Sequence, residues 1–289
     1  MALGKLGGRE LNFSSDVDLI AIHEQRGPDD LDHHAALVRI VRALKTGLEA
    51  PTEDGFGYRV DLDLRPEGRS GTLVNSVDAA LRYYETFGAE WERQALIRLR
   101  HVAGPDAPAR AFALGVAPFV YRQAIDPGAI RRVRERKARI EDERRRGGRD
   151  LESDLKEGPG GIRDVEFLVQ ALQLFYGARE PSLRTGNVLE ALAGLLGAGL
   201  LPESAVAGLT DDYTWLRHAE HTLQLVEERQ TARVPRDRAA QLGLARRMGY
   251  TEPVAARALD RFLDDWTRVR SNVRGHFESL VLEDRDDGA

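Results

Sequence analysis

The sequence predicts an α+β protein: a small mixed-sheet domain over residues 1–105, followed by an all-α helical bundle over residues 106–289. Three observations carry this. Apolar and polar residues alternate from Asp16 to Ala21 and again from Tyr58 to Leu64, the period of half-buried strands. Gly104-Pro105-Asp106-Ala107-Pro108 gathers turn formers at one point. Beyond it, apolar residues recur only at helical spacing.

The elements follow in order. Gly7-Gly8 closes an apolar lead-in, and the Asp16 strand follows after a short polar turn. Glu24 to Asp32 is polar, contains Gly27-Pro28 and reads as a loop. His33 to Leu48 places Leu37, Ile40, Val41, Leu44 and Leu48 on one helical face. A glycine-bearing turn leads into the Tyr58 strand, and Thr72-Leu73-Val74 forms a further strand. Ser76 is the expected N-cap of a helix through about Thr86, with Val77, Leu81 and Tyr84 inward. A helix over Glu90 to Val102 is expected to bury Trp91, Ala95, Leu99 and Val102 and to leave Asp78, Glu85, Glu90 and Glu92 in solvent. Ala129 to Arg149 carries ten basic and four acidic residues from Arg131 on. It reads as a solvated helix with i,i+4 pairs, the alternative being a cationic binding face. Gly158-Pro159-Gly160-Gly161 precedes an apolar helix, Ile162 to Tyr176. Three more helices are expected, over about 187–197, 203–230 and 253–282, before an acidic tail. His218 and His221, three residues apart on the second of these, lack further clustered ligands and read as structural or solvated.

Composition narrows the function classes. With 31% charged and 42% hydrophobic residues the chain is globular, and 289 residues suffice for two cores. A net charge of −5 gives no overall attraction to nucleic acid. The absence of cysteine excludes a thiolate metal site and a disulfide framework. No apolar run is long enough to span a membrane and no signal-peptide pattern opens the chain, so a cytoplasmic protein is expected, with neither a nucleic acid nor a membrane as partner.

The chemistry lies in the carboxylates. On a strand, Asp16 and Asp18 point to one face. Two carboxylates that close resist ionising together unless a cation lies between them, and hard oxygen donors suit Mg²⁺. On the second strand Arg59, Asp61, Asp63 and Arg65 share a face, so Asp61 or Asp63 is the candidate third ligand. Glycines upstream let backbone N–H groups approach a phosphate.

The run Lys5-Leu6-Gly7-Gly8-Arg9-Glu10-Leu11-Asn12-Phe13-Ser14-Ser15-Asp16-Val17-Asp18-Leu19-Ile20 resembles the signature of the glutamine synthetase adenylyltransferases, members of the DNA polymerase beta-like nucleotidyltransferase superfamily. Further segments follow in that family's order: Asp61 with Arg65-Pro66, Ser70 to Val74, Trp91 to Leu96, Gly158 to Phe167, and Glu227-Glu228-Arg229-Gln230-Thr231. The resemblance implies a nucleotidyltransferase domain whose active-site cleft is closed by a helical domain that also contacts the protein substrate. It implies catalysis and Mg²⁺ binding by Asp16, Asp18 and Asp61, and selects Asp61 over Asp63 as third ligand. Gly7, Gly8 and Ser15 would cradle phosphate. Arg93 would support the carboxylates or a phosphate, or else serve a structural pairing, and Gly160, Gly161, Arg163 and Glu166 would line the cleft.

The implied reaction controls glutamine synthetase, with PII signal protein as a further possible partner. Gly160 to Arg163, Gly177 to Leu183 and the Glu227 segment match the AMP-removing unit, which takes AMP from an adenylylated tyrosine with phosphate and yields ADP. Adenylylation from ATP is the opposed direction. A non-catalytic module binding glutamine synthetase or PII is the alternative of another class, and an RNA-directed nucleotidyltransferase would require a basic, aromatic groove. Asp63 and Glu67 depart from the family pattern, which usually has an arginine and an aromatic residue there. Met1-Ala2-Leu3 is shorter than the strand the lead-in implies, so the chain reads as N-terminally truncated, with an open sheet edge expected beside Asp16–Asp18.

Overall fold

A computed structural model describes residues 1–24, 31–122, 128–148, 150–226 and 230–279. Residues 25–30 of the expected Glu24–Asp32 loop, Arg149, Glu227-Glu228-Arg229 and the acidic tail lie outside the described residues. Two compact units appear: Met1–Ala124 with Tyr176–Asn187, and Ile125–Phe175 with Val188–Ala289.

The first unit runs α1 (Gly4–Gly7), β1 (Asp16–Asp18), β2 (Ala21–His23), α2 (Leu31–Glu49), β3 (Arg59–Asp61), a 3-10 turn (Gly68–Ser70), β4 (Val74–Ser76), α3 (Val77–Thr86), α4 (Glu90–Leu96) and α5 (Asp106–Val120). β1 pairs with β3 and β2 with β4, both in parallel. Among the described residues of this unit, antiparallel pairing takes the form of isolated bridges, of Ala2 with Leu19 and with Arg100 and of Thr52 with Gly55. Through the Ala2 bridges Met1–Leu3 takes up the edge beside β1: Leu3 N–H donates to the Asp18 carbonyl at 2.9 Å and Ile20 N–H to that of Met1 at 3.0 Å. The expected open edge is therefore paired on this side.

Alternation decides which side of β1 and β3 is buried. Val17, Val60 and Leu62 turn inward onto Leu6, Leu11, Leu19, Val41, Leu48 and Leu73. The aspartates of both strands consequently take the other side. Ser76 caps α3 as expected, its hydroxyl accepting from Ala79 N–H at 3.2 Å. Tyr84 of α3 packs on Phe112 and Phe119 of α5, so α5 belongs with this unit and the unit extends past the turn at 104–108.

The helix at 90 differs from its expected form. It ends at Leu96 and buries Glu92, Arg93, Gln94 and Leu96, while Trp91 and Val102 are exposed. Polar termini explain the inversion. Glu92 accepts from Tyr83 Oη at 3.0 Å and from Ala89 N–H at 2.7 Å, capping its own helix. Its neighbour Arg93 reaches the end of α5. Glu92 is thus a buried cap rather than a surface charge.

The second unit contains α6 (Gly128–Arg146), α7 (starting at Ile162 and ending at Tyr176), α8 (Val188–Gly197), α9 (Glu203–Gln224), α10 (Arg238–Arg247) and α11 (Ala255–Ser279). α10 stands in a stretch where no separate helix was expected, capped by Asp237, whose carboxylate accepts from Ala240 N–H. α7 is buried around almost its whole circumference, as its dense apolar sequence requires. α6 is solvated only on its outer side. Inward, Lys137 (1% exposed) lies 2.7 Å from both Glu141 and the fully buried Asp164 of α7, and Arg274 of α11 closes on the same two carboxylates at 3.3 Å. No described helix is long and apolar enough to cross a membrane.

Candidate active site

The parallel register aligns Asp16 with Arg59, Val17 with Val60 and Asp18 with Asp61. Adjacent strands lie about 4.8 Å apart, so Asp18 and Asp61 are immediate neighbours on the polar face, with Asp16 two residues along. Each carboxylate has a fixed environment. Arg59 Nε donates to Asp16 Oδ1 at 2.7 Å, and its Nη2 donates to Ser14 Oγ at 3.3 Å. The Arg59 guanidinium also lies over the Phe56 ring. Asp18 rests over Gly4, whose φ of +52° and missing Cβ make room for the carboxylate. Asp61 Oδ1 accepts from Asp63 N–H at 2.7 Å.

The glycine turn has a different role from the expected phosphate cradle. Gly7 N–H donates to the Leu3 carbonyl at 2.7 Å and Gly8 N–H to that of Gly4 at 3.1 Å, so both donors are committed. A Cβ on Gly7 would fall on the Arg98 carbonyl, and one on Gly8 would meet the Gly186 carbonyl at 2.6 Å. The pair therefore permits close backbone packing. The Ser15 hydroxyl donates to the Asp16 carbonyl at 3.0 Å and braces the start of β1.

A cavity of about 620 Å³ opens beside the face, lined by Asp16, Arg59 and Asp61 and by side chains of α2 and the 62–73 segment. Arg65, expected on the same face as Asp61, is 6% exposed and donates to the carbonyls of Leu62, Arg69 and Gly71. It ties the loop together from below. Asp63 receives Arg69 Nε at 2.6 Å and lies 3.5 Å from Arg65. The hydrogen bond from Arg69 holds its carboxyl below the ordinary value.

Arg93 is turned inward. It is 3% exposed, donating to the carbonyls of Phe119 and Val120 and to Glu90 at 2.9 Å. The expected result for Arg93→Met is a loss of about 2–3 kcal/mol of stability in urea unfolding, because carbonyls at the end of α5 lose charge-assisted donors. A phosphate ligand would instead show a raised KM at unchanged stability.

In the second unit, Gly160 N–H donates to Asp164 Oδ2 at 2.7 Å and Gly161 N–H to the Gly158 carbonyl at 3.0 Å. Gly160 has a φ of +70°, and a Cβ there would strike the Arg270 carbonyl. These glycines build a turn and cap α7; their donors are not presented to a phosphate. Arg163 Nε donates to Glu157 at 3.1 Å with the guanidinium over Phe167, and Glu166 is buried.

The donor chemistry on the β1–β3 face, three carboxylates on adjacent strands, fits a hard divalent cation in kind. The gathering is incomplete: among the described residues no group of three His, Cys, Asp or Glu converges closely enough to hold a metal ion. The ion pair of Asp16 with Arg59 accounts for part of this, since it draws one carboxylate toward the guanidinium. His218 and His221 likewise form no such group.

Sequence reasoning missed Arg59, Gly4 and Lys137 as organising residues. Arg59 had a signal, sharing the alternating face with Asp61. Gly4 and Lys137 had none, because each is defined by a partner distant in sequence.

Residues 1–114 match the family model described as glutamate-ammonia ligase adenylyltransferase, and residues 130–281 match that described as GlnD PII-uridylyltransferase. The chain is 40% identical over 292 residues to the bifunctional glutamine synthetase adenylyltransferase/adenylyl-removing enzyme of Hahella chejuensis, covering 99% of this chain and 29% of that protein. The similarly named Pseudomonas aeruginosa protein is 40% identical over 293 residues, with the same coverage. A Thioalkalivibrio sulfidiphilus relative is 40% identical over 284 residues, covering 97% and 28%. The chain spans less than a third of the length of these relatives. Residues 1–114 thus match the glutamate-ammonia ligase adenylyltransferase family, and nearly the whole chain is similar to one part of the bifunctional glutamine synthetase adenylyltransferase/adenylyl-removing enzymes.

Proposed function

We propose that this chain is a nucleotidyltransferase that removes AMP from an adenylylated tyrosine of glutamine synthetase by Mg²⁺-dependent phosphorolysis, releasing ADP. The observation that carries the reading is the parallel register that sets Asp18 against Asp61, with Asp16 on the same face. Asp16, Asp18 and Asp61 would hold the metal, with Asp16 exchanging Arg59 for the ion. Bound there, Mg²⁺ supplies charge stabilisation to phosphoryl oxygens.

The chain's own residues do the remainder. A phosphate oxygen forms a bond to the phosphorus of AMP as the bond to the tyrosyl oxygen breaks, and the released phenolate takes up a proton. Arg59, freed from Asp16, is a guanidinium at the same face for the developing charge. The transfer needs positioning and electrostatics rather than a covalent nucleophile. Arg163 and Glu166 are the candidate substrate contacts on the second unit. PII protein is proposed as a regulatory partner because the helical half matches a model whose description names it.

The direction rests on the segments Gly160 to Arg163 and Gly177 to Leu183. The names of the relatives cover both directions, so adenylylation from ATP is the second reading. Incubation with adenylylated glutamine synthetase, Mg²⁺ and phosphate is expected to release ADP in proportion to phosphate. Labelled ATP with the unmodified synthetase tests the opposed direction, and AMP transfer there without ADP release would replace the first reading. Silence in both would leave a binding module.

A further inference from the structure

The cavity beside Asp16 and Asp61 has more charge than the three aspartates require. Its lining includes Arg42, Lys45, Arg59, Arg65 and Arg69 against Asp16, Glu49, Asp61 and Asp63. Lys45 is engaged by Glu49 at 2.7 Å and by the Val60 carbonyl. Arg59 is taken by Asp16, and Arg65 is buried on backbone carbonyls. Two guanidiniums are left with donors to spare. Arg42, on α2, is exposed and makes no hydrogen bond or ion pair among the described residues. Arg69 is 88% exposed and is held by its Nε edge alone, so both Nη groups stay open.

The loop that presents Arg69 is built rather than slack. Glu67 adopts a left-handed φ of +61°, unusual for a residue with a side chain. Gly71 leaves space for the Pro66 carbonyl, which a Cβ would strike, and the Ser70 hydroxyl donates to the Glu67 carbonyl at 2.7 Å. Arg65 pins the loop from beneath. A strained turn fixed at several points, ending in an arginine gripped on one edge, orients that arginine toward the pocket. An open guanidinium fork matches two phosphate oxygens.

We propose that Arg69, oriented by Asp63, and Arg42 form a clamp for the phosphate oxygens of the substrate at this pocket, with Asp63 as a positioning residue. The inference deepens the transferase reading and rests on it for the role of the bound phosphate. The ligand class is a phosphate oxyanion, either inorganic phosphate or the phosphates of ADP or ATP. The competing account is an ordinary surface ion pair, which contributes nothing to binding.

The test is calorimetric titration of the full chain, with Mg²⁺, using inorganic phosphate in one arm and ADP in the other, and without protein substrate. Arg69→Gln is expected to weaken binding by roughly ten- to a hundredfold, the loss of one or two charge-assisted hydrogen bonds. Asp63→Asn should weaken it similarly, and the Asp63→Asn, Arg69→Gln double variant should be no worse than Arg69→Gln. Arg69→Lys should fall between, keeping the charge without the fork, and Arg42→Gln should add its own loss. Loss in the phosphate arm alone assigns the clamp to the attacking phosphate; loss in both assigns it to the nucleotide's phosphates. Phosphate and ADP binding by Arg69→Gln at wild-type strength, or no binding by the wild type, overturns the clamp. If Arg69→Gln loses binding while the wild type removes no AMP, the clamp stands and the transfer reading falls.

Discussion

Asp18→Asn is expected to lower phosphate-dependent ADP release by roughly a thousandfold or more, with the fold intact. Asp18 stands in register with Asp61, directly across the parallel ladder. Replacing one of two apposed carboxylates by an amide removes a negative donor from the position at which phosphoryl charge must be neutralised. Several kcal/mol of transition-state stabilisation are at stake, and each 1.36 kcal/mol is a factor of ten. The amide still fits over Gly4, so thermal unfolding of the variant should match the wild type. Activity within tenfold of wild type would remove Asp18 from the chemistry.

Lys137→Met is expected to cost about 3–5 kcal/mol of stability, the range for removing one partner of a buried ion pair. Lys137 and Asp164 are 1% and 0% exposed and lie 2.7 Å apart. Without the ammonium, Asp164 keeps Gly160 N–H at 2.7 Å and Arg274 at 3.3 Å, too little to offset its full desolvation. The same carboxylate holds the Gly160 turn at the start of α7, so the damage extends from α6 into that turn. Urea unfolding is the measurement. A loss under about 1 kcal/mol would mean that Arg274 alone suffices for both carboxylates.

These two sites show what the sequence makes legible. Alternation around Val17 and Val60 identified both strands and the shared face of the aspartates, because side-chain direction on a strand is a local property. The Gly158–Gly161 turn and an apolar-rich stretch located the start and end of α7. Ser76 was recognisable as a cap from its own chemistry. What escaped depends on partners remote in the chain. Gly7 and Gly8 were read as facing phosphate, yet they face Arg98 and Gly186. Glu92 looked like a surface charge on an amphipathic helix, and Arg93 like a support for the carboxylates or a phosphate as readily as a structural pair, until the carbonyls of Phe119 and Val120 drew it inward. Lys137 sat unmarked in a charged run until Asp164 and Arg274 defined its burial. Departures such as Asp63 acquire meaning only beside Arg69, six residues away across a left-handed turn.

Mn²⁺ titration followed by electron paramagnetic resonance tests the β1–β3 face as a divalent-metal site without reference to turnover. The wild-type chain is expected to bind Mn²⁺, more tightly when ADP is present, and the Asp16→Asn, Asp18→Asn variant is expected to leave the ion free. Equal binding by the variant, or none by the wild type with or without ADP, would contradict a metal site there.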